Sequence, residues 1–163
     1  MQFIILAAFF LDAYAFSTEG IVGFTVGKRN EKSFLLVVKN SIQLSFFTAL
    51  IISILYLIFF KQIINIITDI DILRFIAYKH AIWIIIIPPV ASFCYQLDGI
   101  FIGASQTKEM RNAMMVSVAS FIIISIYLTK YFGNHGLWLS LLSFTVLRSI
   151  TLNYFFKNIL KKF

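Results

Sequence analysis

Five apolar runs, each long enough to cross a bilayer, leave this chain few ways to fold. They fall at about residues 2–27, 38–60, 80–104, 111–131 and 137–156. At 1.5 Å rise per residue, about 20 residues span a hydrocarbon core of roughly 30 Å. Inside lipid every peptide N–H and C=O must be bonded internally, so only helices or closed barrels cross. The runs are continuous rather than alternating, which argues against barrel strands. The expected fold class is therefore all-α: a polytopic membrane helical bundle of about five spans, in a single domain over 1–163. Composition agrees. Charged residues make up 13% of the 163, against about 25% in soluble domains.

The net charge of +7 is not read as a nucleic-acid signal, because the basic residues sit at the ends of the apolar runs. There they set topology. Lys28, Arg29, Lys32, Lys39, Lys108, Arg111, Lys157, Lys161 and Lys162 fall on one side; Lys61, Arg74, Lys79 and Lys130 fall on the other. The excess places the first group and the C-terminus in the cytoplasm, and the N-terminus outside. A multi-pass protein of the cell inner (plasma) membrane is expected. Cys94 is the single cysteine and lies in an apolar run, so neither a disulfide nor a metal cluster is expected. Met1-Gln2-Phe3 lacks a basic n-region and does not read as a cleavable signal.

Ionisable residues inside spans are costly, roughly 2.5–3.5 kcal/mol at a helix centre, and by default mark ion or substrate paths. Three stand out. Asp98 heads the stretch DGIFIGASQT, where Gly99-x-x-x-Gly103 follows it. Asp12 and Glu19 are seven apart in the first span and share a face with Phe16 and Gly23. Ala15, Glu19, Gly23 and Gly27 form a ridge, mostly of small residues, that lets another helix approach closely.

Glu19 precedes Lys28 by nine residues, Asp98 precedes Lys108 by ten, and Arg148 precedes Lys157 by nine. Counted along helices running the same way, this puts Glu19, Asp98 and Arg148 at one depth, with Asp12 about 10 Å farther out. The expectation is a polar cavity in which Asp98, Glu19 and Asp12 couple ions and Arg148 is an intermittent counter-charge. The coupling ion is a proton or sodium, with no other cofactor. Phe16, and Tyr95 three residues before Asp98, are expected along the substrate path. Pro88 and Pro89 predict a kink that serves as a hinge or as a fixed bend.

The second run, with Leu44, Phe46, Phe47, Leu50, Ile51 and Ile52, reads as a lipid-facing helix. Residues 62–78 mix isoleucines with Asn65, Thr68, Asp69, Asp71 and Arg74. They read as a short amphipathic helix at the interface, with Asp69 on its polar side or capping it.

These residues resemble a known family. LDAYAFSTEGIVGFTVGKRN is similar to the second helix of the C-terminal lobe of multidrug and toxic compound extrusion (MATE) transporters, nearest the DinF-like branch. Leu11, Asp12, Ala15, Glu19, Val22, Gly23 and Gly27 carry the match. PPVASFCYQLDGIFIGASQTKEMRNAM resembles that family's tenth span, and IINIITDIDILRFIAYKH the segment before it. The resemblance implies that the acid at Asp98 belongs to a cation site. It further implies a partial C-terminal lobe of a twelve-span transporter, a truncated form that needs the missing lobe or another chain as partner.

Three functional classes are weighed on these grounds. The first is a cation-coupled antiporter exporting drugs or other small organic compounds. A lipid-linked oligosaccharide flippase of the same superfamily is its near relative, though acids at mid-depth favour cationic or amphipathic cargo. The second, an enzyme, lacks support: His80 and His135 lie at helix ends, and neither G-x-S-x-G nor H-E-x-x-H occurs. The third is a non-catalytic accessory membrane subunit.

Overall fold

The computed structural model describes residues 2–161 and residue 163. The chain folds as α1 (Gln2–Gly27), α2 (Glu31–Ile67), α3 (Asp71–Lys79), α4 (Ala81–Gly103), α5 (Thr107–Phe132) and α6 (Asn134–Leu160). All but α3 are long and apolar enough to cross a membrane. The bundle is built around α4, whose spanning window is 61% buried, against 11–22% for the other four.

Contacts along the helices give their directions. Ala15 and Glu19 of α1 meet Gly99 and Gly103 of α4 in the same order, so the two run parallel. Trp83 and Asp98 of α4 bond His135 and Arg148 of α6, again in parallel. Helix α2 runs opposite to these: Ser53 reaches Ile85, while Phe46 packs on Phe93. Helix α5 folds back on α6 through Gly136, where an added Cβ would lie 2.1 Å from the Leu128 carbonyl oxygen. The sharp turn between them uses Gly133 at φ 56°, ψ −132°, a conformation open to glycine. On the other side of the bundle, Asn30 caps α2 by accepting from the Ser33 amide at 3.0 Å.

Two expectations are corrected here. The second run is not simply lipid-facing. Leu44, Phe47 and Ile51 are exposed, but Ser45, Ala49, Ile52, Ser53 and Tyr56 are buried against α1 and α4. Tyr56 donates to the Phe3 carbonyl at 2.8 Å and Ser53 to the Ile85 carbonyl at 2.7 Å. Sparse small and hydroxylic residues, rather than charge, mark this inner face.

Nor is 62–78 one helix. Residues up to Ile67 extend α2, residues 68–70 break it, and α3 starts at Asp71. At the break, the Thr68 hydroxyl accepts from the Ile70 amide, and Arg74 reaches back to the carbonyls of Thr68 and Asn65. Asp69 does not cap α3; it pairs with Arg74 at 3.1 Å. Arg74, Ala77 and Tyr78 of α3 are half-buried, while Asp71, Ile72, Phe75 and Lys79 face out.

Pro88 and Pro89 sit inside an α4 that continues through them. Proline at 89 cannot donate to the carbonyl four residues back, at Ile85. That carbonyl accepts the Ser53 hydroxyl instead, and the Pro89 carbonyl accepts Ser92 at 2.7 Å. The Ser53 hydroxyl of the neighbouring helix thus fills the gap left by Pro89, as membrane helices require.

Candidate functional site

The site lies where α4 faces α6. Arg148 is 8% exposed, near the middle of α6, and directs its guanidinium at Asp98. Nη2 donates to Asp98 Oδ1 at 2.8 Å and Nε at 3.2 Å. Nη1 points at the Met114 sulfur of α5. Both strong bonds fall on one carboxylate oxygen. Among the described residues, no hydrogen bond reaches Asp98 Oδ2. The Asp98 side chain is 22% exposed and that of Arg148 10%, so the acid is the more accessible partner. A second partner, a proton or a small cation, would reach the pair through the free carboxylate oxygen.

A buried pair of this kind is a poor source of stability but a strong constraint. Its Coulomb attraction is offset by the cost of taking both charges out of water. Removing one partner alone strands the other. The pair therefore ties α4 to α6 conditionally: anything that neutralises Asp98 loosens the link.

Above the pair, towards the N-terminal end of the bundle, α1, α4 and α6 enclose a cleft of about 140 Å³. Leu11, Pro88, Ala91, Tyr95, Phe144 and Thr145 are among its walls. Asp12 follows Leu11 and is an electrostatic neighbour of both Tyr95 and Asp98. It is half-buried and forms no side-chain hydrogen bond or ion pair among the described residues. The structure thus brings Asp12, Tyr95, Asp98 and Arg148 into one neighbourhood.

It does not bring Glu19 to that level. The helix α1 ridge docks on the glycines of α4, as its small residues foretell. A Cβ at Gly99 would lie 2.4 Å from the Ala15 carbonyl oxygen, and one at Gly103 2.4 Å from that of Glu19. Glu19 is therefore level with Gly103, five residues or about 7 Å beyond Asp98. The counting to basic boundaries fails for a physical reason. Helix α4 ends at Gly103, and the turn 104–106 runs sideways before Lys108. Ten residues of sequence are not ten residues of rise.

Phe16 is also displaced from the expected path. It is 71% exposed, on the far side of α1 from the buried stripe of Leu11, Ala15, Thr18 and Val22, and does not join Tyr95. Pro88 lines the cleft, while Pro89 lies beside it in the chain. Cys94 is buried in α4 as a packing residue. Met114 was not singled out by its sequence context, since a methionine in an apolar run carries no signal.

Comparison with known proteins follows the same lines. The family described as MatE matches residues 1–130. DNA damage-inducible protein F of Escherichia coli (strain K12) is 36% identical over 152 residues, which is 93% of this chain and 33% of that protein. The chain thus spans about a third of the length of that curated relative. No solved structure matches it significantly.

Proposed function

Since the chain belongs to the MatE family, we propose that it forms part of the C-terminal lobe of a cation-coupled antiporter that exports small organic compounds across the inner membrane. Its C-terminus is assigned to the cytoplasm on the asymmetry of lysine and arginine at the helix ends. The observation that carries the reading is the Asp98–Arg148 pair, bonded through one carboxylate oxygen only. A charge pair kept inside a spanning bundle is expensive, and its use is to be opened.

In this reading a proton or sodium ion enters by the cleft between α1, α4 and α6, with Asp12 drawing it inward. It reaches Asp98 at the free oxygen and cancels the charge that holds Arg148. The mid-span tie of α6 to α4 is then released, with the Trp83–His135 bond remaining, while α1 stays locked to α4 by the glycine seam. Tyr95, at the edge of the cleft, is placed to meet cargo. An oligosaccharide flippase is less favoured, because Arg148, the base beside this cleft, is already committed to Asp98. Alternating access by one half moving against the other needs more spans than these. The cargo path therefore requires a second lobe, in the same or another chain.

The test is export of a fluorescent organic cation from vesicles bearing this chain with a second lobe supplied. Imposed proton and sodium gradients drive it in turn. Asp98→Asn/Arg148→Met, which strands no buried charge, should insert and fold yet lose export driven by either gradient. Gradient-driven export at the wild-type rate in that variant would remove the proposal.

A further inference from the structure

Helix α4 has a second polar face, about 200° around from Asp98, that the charged pair does not use. Gln96 is 0% exposed there, between α1 and α2. Thr18 Oγ1 of α1 lies 2.9 Å from Gln96 Oε1 and 2.8 Å from the Tyr14 carbonyl oxygen. A hydroxyl has one proton and cannot donate to both. If that proton goes to Tyr14, the amide must turn so that its Nε2–H donates to Thr18, which leaves Oε1 unbonded. If it goes to Gln96, Nε2 is left unbonded, as it stands here. Either way one end of a fully buried amide lacks a partner.

Ser45 of α2 is a second such group. It is 0% exposed, and its hydroxyl has no hydrogen-bond partner among the described residues. It stands one turn from Ala49, which packs with Leu11, Ile87 and Ala91. One turn farther along α1 and α4 are Ala15 and Tyr95, so Ser45 lies at the level of Gln96.

Beside this junction, α1 and α2 part to leave a cleft of about 260 Å³ walled by Tyr14, Ser17, Thr18, Asn40 and Ser41 among others. Thr18 belongs both to the cleft and to the Gln96 junction. Ile21, Leu36, Val37 and Leu44 complete its wall, so it is largely apolar, with a few hydroxyls, one amide and no charge. It lies towards the basic end of the bundle, whereas the cleft beside Asp98 lies towards the N-terminal end.

We infer that Thr18, Ser45 and Gln96 form a second, uncharged site that holds water, fed from the basic end of the bundle through the cleft between α1 and α2. Water fits because it both donates and accepts, and so completes Gln96 in either amide orientation and Ser45 with it. A cation would face the amide N–H in one orientation and only a few neutral oxygens in the other. An anion would meet no positive charge. Buried waters typically make about three hydrogen bonds, and each occupies about 30 Å³ in the liquid, so the cleft has room up to its Thr18 wall; Ser45 and Gln96 are not part of that wall. The consequence is that α4 is wetted from opposite ends on opposite faces, and only one of the two inlets passes the ion pair.

Deuterium exchange of a thiol tests this with water as its own probe. In a Cys94→Ala background, Ser45→Cys is compared with Ala49→Cys, one turn away and equally buried. The full chain in lipid nanodiscs is moved into D2O, and loss of the S–H infrared stretch is timed. Ser45→Cys should exchange at least about tenfold faster than Ala49→Cys. Closing the cleft with Ser41→Phe should slow it about tenfold. If Ser45→Cys does not fold, Thr18→Cys is read in its place, with the same expectation. Equal rates at the tested position and Ala49→Cys would overturn the site. A rate unmoved by Ser41→Phe would overturn the inlet.

Discussion

The two faces of α4 hold their neighbours in opposite ways. Towards α1 the contact is backbone on backbone, with Gly99 on Ala15 and Gly103 on Glu19. Towards α6 the middle of the contact is a pair of charges, Asp98 and Arg148, with space beside it, and a Trp83–His135 bond lies farther along. The first contact has no alternative state, because close-packed backbones are not switched by a proton. The second depends on the charge of one carboxylate. A helix with one face fixed and the other conditional can transmit an ion's arrival as movement of a single neighbour. In the proposed antiporter that neighbour would be α6.

The largest expected effect comes from breaking the conditional face one-sidedly. Arg148→Met strands Asp98 in the bundle and should destabilise by about 3–5 kcal/mol. Thermal unfolding in detergent measures this. The double variant Asp98→Asn/Arg148→Met should recover most of the loss. Without such recovery, the penalty would lie in packing around Met114 rather than in the charge.

Next is the fixed face. Gly99→Leu forces a side chain onto the Ala15 backbone, which cannot turn aside. A cost at the upper end of about 1–3 kcal/mol is expected. Gly27→Leu, where an added Cβ meets nothing within 4 Å, is the matched control and should be silent. Equal melting temperatures for the two variants would show that the seam tolerates bulk and is not fixed.

A smaller effect is expected at Ser53, which supports the proline segment common to both faces. Ser53→Ala leaves the Ile85 carbonyl without its side-chain partner. Interhelical hydrogen bonds in membranes average about 0.6 kcal/mol and reach about 1.7. Adding Pro89→Ala, which restores a backbone donor, should cancel the loss. The smallest effect is at Asp69, fully exposed in its pair with Arg74. Asp69→Asn should leave unfolding unchanged, setting a surface pair against the buried one.

Much of this was legible in the chain. The apolar runs foretold the spans, because hydrocarbon leaves the backbone no other solution. Ala15, Glu19 and Gly23 foretold a close partner, and Gly99 and Gly103 supply it. Asp98 and Arg148 were placed together because ionisable groups inside spans turn toward one interior, where they can pair. Glu19 was misplaced because the ruler was sequence, and the turn after Gly103 does not rise. Ser53, Gln96 and Ser45 were invisible. A lone polar residue in an apolar run reads the same whether it faces a neighbour, a gap or lipid, and only the packing tells which.

The central proposal is that a coupling ion acts at Asp98. Infrared difference spectra of the membrane-embedded protein, recorded while pH or sodium is stepped, read carboxyl protonation directly. The wild-type spectrum should contain a carboxyl change that Asp98→Asn removes and that Arg148→Met shifts. A difference spectrum identical in wild type and Asp98→Asn would contradict it.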